Sequence, residues 1–159
     1  ALDRVLDADA ADRPARATRV GRAATDRGFD DATGFLGDAR VADAVAYGDD
    51  ATVDGGVTLV DAPSRFEEAA TGLAAAGAHV VVHATAEGIP AGHPLVPVVK
   101  LSGDADTLAA VPDDVDVDAR ETDAAALADR LLAVAGGDPT AAERHGLTEF
   151  ALTRVGPSI

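Results

Sequence analysis

Short apolar runs alternate with helix-like segments from about Leu36 onward, and this order restricts the fold more than any other feature of the chain. Val57-Thr58-Leu59-Val60 follows Gly55-Gly56 and reads as a buried strand. Ser64-Arg65-Phe66-Glu67 has the spacing of a capping box, in which a Ser oxygen and a Glu carboxylate satisfy the free N–H groups of a helix start. Phe66, Ala69, Ala70 and Leu73 then fall on one helical face, and Gly77 ends the helix. Val80-Val81-Val82 predicts a central parallel strand, apolar on both faces. Val96 to Leu101 predicts a third strand, Asp104 a cap for a helix through Ala110, and Val115 with Val117 a fourth strand. Ala124, Leu127, Leu131 and Val134 line one face of a long helix ending at Gly136-Gly137. Thr140 to Glu143 is a second capping box, and Phe150-Ala151-Leu152 reads as a last strand. Upstream, Ala39 to Ala46 reads as a short helix closed by the turn Tyr47-Gly48-Asp49-Asp50.

Strands alternating with helices predict an α/β fold: a mostly parallel sheet flanked by helices in a Rossmann-like three-layer arrangement. Residues 37–159 read as one α/β domain without internal repeats or a long linker. Residues 1–36 form a weakly patterned segment with two short helices broken at Pro14. Ala1 stands where an initiator Met would be, so the chain is expected to be processed or part of a longer protein.

Charge narrows the setting. Asp and Glu number 28 against 13 Lys and Arg, a net charge of −15, and Lys100 is the only lysine. Such a surface repels itself at low ionic strength and is screened in concentrated salt, which points to a halophilic, salt-rich cytoplasm. The acids are interleaved with Val, Leu and Ala, unlike a disordered acidic tail. No basic patch suits nucleic acid, and no apolar run approaches the ~20 residues that span a bilayer. With no Cys, disulfides and thiolate metal sites are excluded within the chain.

In an open α/β sheet, ligands bind beyond the carboxyl ends of the strands. The longest such loop runs from His83 to Pro94, and Gly88 and Gly92 permit close approach of a ligand to its backbone. Thr85, Glu87, His83 and His93 are its polar groups. Metal binding by the histidines is disfavoured. His79 and His83, four residues apart on one strand, are about 13 Å apart at ~3.3 Å per residue. A zinc site also wants at least three protein ligands. Asp114, Asp116 and Asp118 share one face of their strand and would suit a hard cation, but Asp is scattered throughout, and a solvated acidic face is the simpler reading. Lys100 ends an apolar strand, where it could pair a substrate carboxylate, act as a base if buried, or form a structural ion pair with an Asp. Glu87 and Asp61 stand at neighbouring strand ends.

Several short motifs follow one another along the chain: Asp61-Ala62-Pro63, Thr71-Gly72-Leu73, Ala75-Ala76-Gly77-Ala78, Gly88-Ile89-Pro90-Ala91-Gly92, Pro97-Val98-Val99-Lys100 and Asp113-Asp114-Val115-Asp116, then Gly137, Thr140, Glu143, Gly146, Glu149 and Phe150. In this order they resemble the C-terminal domain of the altronate and galactarate (sugar-acid) dehydratase family. Together they cover about residues 36–159. The resemblance implies a hydro-lyase that removes water from a sugar acid to give a 2-keto-3-deoxy acid. It also implies a divalent metal, iron or manganese, held outside this chain, and an upstream catalytic domain or subunit, with a homo-oligomer compatible. The implied catalytic residues are Lys100, His83 and Glu87, and the implied substrate contacts Asp61, Thr85, Gly88 and Gly92. The family's Gly-rich stretch usually reads Thr-Thr-Gly-Arg-Gly-Thr-Pro. By position this chain keeps Thr85, Gly88, Pro90 and Gly92, and it has Ala84, Ala86, Glu87 and Ile89 where Thr, Gly, Arg and Thr stand; Asp104 replaces an Asn after the lysine strand. An Arg fork holds a carboxylate, whereas a Glu repels it. Two readings follow: one domain of a sugar-acid dehydratase, or a non-catalytic degenerate paralogue serving as a structural or small-ligand-binding module.

Overall fold

A computed structural model of the protein describes residues 34–63 and 65–152. These fall into two compact units: the second is Ala78–Ala151, and the first takes the described residues up to Gly77 together with Leu152. The expected helices around Pro14 lie outside the described residues, as does Ser64.

The first unit opens with a 3-10 turn, Gly34–Leu36, and continues into strand β1, Val41–Ala46. β1 pairs in parallel with β2, Val57–Asp61, with one register irregularity between Val41 and Asp43. The segment expected to be helical from Ala39 is therefore a strand. Its Ala content favours helix weakly, but a parallel partner offers the backbone groups on one side of the strand a ladder, and that context overrides propensity. Helix α1, Phe66–Ala75, follows and buries Phe66, Glu68, Ala70 and Gly72. Arg65 occupies its N-cap position without a side-chain capping bond.

The second unit contains a three-stranded parallel sheet in the order β3-β4-β5, with β3 Val81–Ala84, β4 Val98–Ser102 and β5 Val117–Asp118. Val81 to Ala84 pair with Val98 to Leu101, and Leu101 and Ser102 pair with Val117 and Asp118. The middle strand is β4, not the valine run expected there: β3 lies at one edge of this sheet and Val82 is 42% exposed. On β4, Val98, Val99 and Lys100 are all buried, as a central strand requires.

Alternation divides β4 between two faces. Val99 and Leu101 face helix α3, Ala124–Ala135, whose Val134, Leu127 and Leu131 pack with Val117 and Val80 into the apolar core. Asp123 caps α3 by accepting from the Ala126 N–H. The other face carries Val98, Lys100 and Ser102 and meets helix α4, Ala141–His145. Thr140 and Glu143 form the expected capping box for α4, and Gly146 closes it in the left-handed conformation. Helix α2, Ala105–Ala110, joins β4 to the 3-10 turn Pro112–Asp114 and is capped by Asp104, whose carboxylate accepts from the Thr107 N–H. The expected strand at Phe150–Leu152 is absent. Its place is taken by one parallel bridge between Gly92 and Thr148, and Phe150 and Leu152 are exposed. Each unit thus has parallel strands with helices, the α/β class.

Candidate functional site

The carboxyl ends of all three strands of the second unit open onto a cleft of about 340 Å³. Ala84, Thr85 and Ala86 line it after β3, Leu101, Gly103 and Asp104 at the end of β4, and Ala119 after β5. A larger hollow of about 450 Å³ lies between α2 and the segment around Asp118 and Arg120. The smaller cleft has the position expected of a ligand site, because the loops there are free to vary over a fixed sheet.

The loop from Thr85 to Gly92 is held at several points. The Thr85 N–H continues the ladder to the Leu101 carbonyl, 2.9 Å. Its hydroxyl oxygen accepts the Glu87 N–H, 3.0 Å, which turns the chain and leaves Glu87 exposed. The Thr107 hydroxyl donates to the Ala86 carbonyl, 2.7 Å, tying the loop to α2. Gly88 has φ +62°, and a Cβ there would sit 2.9 Å from a methyl of Val111. Both facts favour glycine. At Gly92 the demand is space alone: a Cβ would lie 2.7 Å from that of Ala142.

Lys100 is fully buried beneath this loop. Its amine donates to the carbonyls of Pro90, 3.0 Å, and Ala91, 2.6 Å. Burial pushes its pKa down, and the charges of Asp116 and Asp114 oppose that shift. His83 is the register partner of Lys100 on the neighbouring strand, so the two side chains share a face, and its Nδ1 is buried. His93 is buried at the loop's end, where its Nδ1 accepts the Leu95 N–H, and burial lowers its pKa. The loop's far end is fixed by Gly92 N–H to the Leu147 carbonyl, 2.7 Å, and Glu149 N–H to the Gly92 carbonyl, 3.1 Å.

Of the residues singled out from sequence, Lys100, His83, Thr85, Glu87, Gly88 and Gly92 all belong to β3, β4 and the loop between them. Asp61 ends β2 in the first unit. The three aspartates expected on one solvated face separate. Asp114 pairs with His145 at 3.1 Å, and Asp118 with Arg120 at 2.6 Å. The Asp116 side chain is instead completely buried. It accepts the Lys100 backbone N–H, 3.0 Å, the Ala141 N–H, 2.9 Å, and the Arg130 guanidinium, 3.1 Å. Asp116 was not legible as the anchor of this face. Its only signal is an acid set between Val115 and Val117, and alternation alone does not say which face is buried. Among the described residues no three His, Asp or Glu side chains converge to hold a metal ion. These residues therefore do not by themselves furnish a divalent-cation centre.

The second unit is thus a parallel α/β domain with a hollow at its strand carboxyl ends, where open α/β sheets commonly receive ligands, and a Gly-marked, lysine-tethered loop beside it. The profile of the family described as D-galactarate/Altronate dehydratase, C-terminal, matches residues 32–158, and the chain belongs to that family. No curated protein matches the sequence.

Proposed function

We propose that the chain serves as one domain of a sugar-acid dehydratase, with the cleft beside Thr85 and Gly103 receiving part of a polyhydroxy acid. The observation that carries this reading is a family match over most of the chain, coinciding with a cleft at the carboxyl ends of β3, β4 and β5. Dehydration of such an acid removes the proton α to the carboxylate and expels the neighbouring hydroxyl as water. The enol left behind tautomerises to a 2-keto-3-deoxy acid. A base and an acid are needed for the two proton movements. His83 and Glu87 are the groups of this domain offered for them. The Thr85 hydroxyl and the backbone at Gly88 and Gly92 are offered for the substrate's hydroxyls. Asp61 is retained as a further substrate contact. The remaining machinery, including the divalent metal, is proposed to reside in an upstream catalytic domain or subunit.

The alternative is a non-catalytic, ligand-binding paralogue. It is favoured by one specific observation: the cleft is lined by Asp104, and the adjoining loop exposes Glu87, so both local charges repel a sugar-acid carboxylate. The deciding assay is dehydration of D-galactarate and D-altronate in concentrated salt with Fe²⁺, Mn²⁺ or Mg²⁺, using this chain alone and together with the upstream part. The dehydratase reading predicts 2-keto-3-deoxy acid only from the combination. Product from this chain alone contradicts the division of labour. No product from the combination favours the ligand-binding module.

A further inference from the structure

We infer that Lys100 is a positioning residue: its buried amine gathers the Pro90 and Ala91 carbonyls and, with Asp116 on the same strand's backbone, sets the shape of the loop whose first residues line the cleft. The inference rests on the proposed function only in calling that loop ligand-facing.

Neighbouring carbonyls of an extended chain point to opposite sides, yet here two successive ones converge on a single nitrogen at 3.0 and 2.6 Å. The chain must turn sharply at Pro90-Ala91, and a donor with more than one hydrogen has to sit inside the turn. Lysine supplies three donors on a long stem, and β4 delivers that stem from below. A buried amine is costly unless its hydrogen bonds are made and a counter-charge is near. Asp116 provides the charge while holding the Lys100 backbone N–H and the first N–H of α4. The same helix contacts the loop again where Gly92 lies against Ala142. Loop, middle strand and α4 therefore share one polar joint, of which Lys100 and Asp116 are the two sides.

The ionisable groups around the joint come from every element packed on it. His83 faces Lys100 from β3, Asp114 and Asp116 precede β5, and Arg130 reaches Asp116 from α3. His145 of α4 pairs with Asp114, and His93 lies in the loop.

Because Lys100 is the only lysine, lysine-selective isotope labelling gives one amine signal. In concentrated salt and without ligand, that signal is expected to titrate below the ordinary lysine range, with the carbonyl ¹³C resonances of Pro90 and Ala91 following the same midpoint. In Lys100→Met, the amides of Gly92 and Glu149 should exchange roughly tenfold faster or more, while those of α3 keep their wild-type rates. A lysine that titrates as a surface amine with the two carbonyls unmoved overturns the inference. So does unchanged protection of Gly92 in the variant, or a loss shared equally by α3. Should the variant fail to fold, the wild-type titration alone decides. Neither readout involves a sugar acid, so failure to bind one leaves this result standing, and failure of the joint leaves the family membership untouched.

Discussion

Asp116 and Asp118 lie two residues apart and do opposite work. Asp118 is partly exposed, bound to Arg120, whose hydrogen bonds hold its carboxyl below the usual range. The Asp116 side chain is sealed from solvent and satisfies two backbone N–H groups and a guanidinium. Removing a buried charge partner leaves its donors unpaired, which costs far more than losing an exposed pair. Asp116→Ala should therefore lower the stability of the protein by about 3 kcal/mol in denaturant titrations, and Asp118→Ala should change it little. Equal effects from the two substitutions would contradict the assignment of Asp116 as the anchor. Glu87 sets the other prediction at this scale. It is exposed on the loop, at the position where the family's Gly-rich stretch usually has an Arg, a side chain able to hold a carboxylate. Glu87→Arg should tighten binding of D-galactarate about tenfold by calorimetry, the size of one charge-assisted contact. Unchanged binding would count against the pocket.

Among the elements, α2 gives a clean pH test because one carboxylate opens it. Hydrogen bonds from Thr107 depress the pKa of Asp104. A carboxyl depressed in the folded state stabilises fully above its unfolded pKa, and the contribution is lost as pH falls through the folded value. The Thr107 amide should thus lose exchange protection in the acid range below the ordinary Asp pKa. Asp104→Asn, which caps without ionising, should abolish that dependence. A Thr107 amide insensitive to acid would refute the cap. How well each element could be read from sequence follows from where its information lies. The strands at Val57, Val81, Val98 and Val117 and the helices capped at Asp104 and Thr140 announce themselves through local runs and caps. β1 does not, because its Ala-rich residues become a strand only through a partner found eleven residues after its end. The expected strand at Phe150 has its apolar residues but no pairing strand among the described residues, and Phe150 and Leu152 remain exposed. Likewise the loop from His83 was legible as a long connection at a strand's carboxyl end, whereas the burial of the Asp116 side chain and the use of the Lys100 amine on the loop depend on which face of β4 is covered.

For the molecule as a whole, charge is the dominating property. A surface carrying a net −15 strains against itself over distances that salt controls, since the screening length falls from about 10 Å at 0.1 M to about 3 Å at 1 M. The melting temperature should rise steadily with KCl concentration, and folding should fail at low ionic strength. A melting temperature insensitive to salt would contradict the reading of this charge as a salt-dependent surface. The same charge bears on ligand capture. A dianionic sugar acid approaching this domain meets repulsion from afar, so counter-charge must come from the proposed upstream part or from screening.

The most direct test of the account is a map of where a sugar acid touches this chain. Backbone amide shifts should be followed in concentrated KCl while D-galactarate is added to the protein with its upstream part. Saturable shifts confined to Thr85–Gly92 and the Leu101–Asp104 turn are expected. Saturable shifts centred elsewhere on the chain, or none at millimolar ligand, would contradict it.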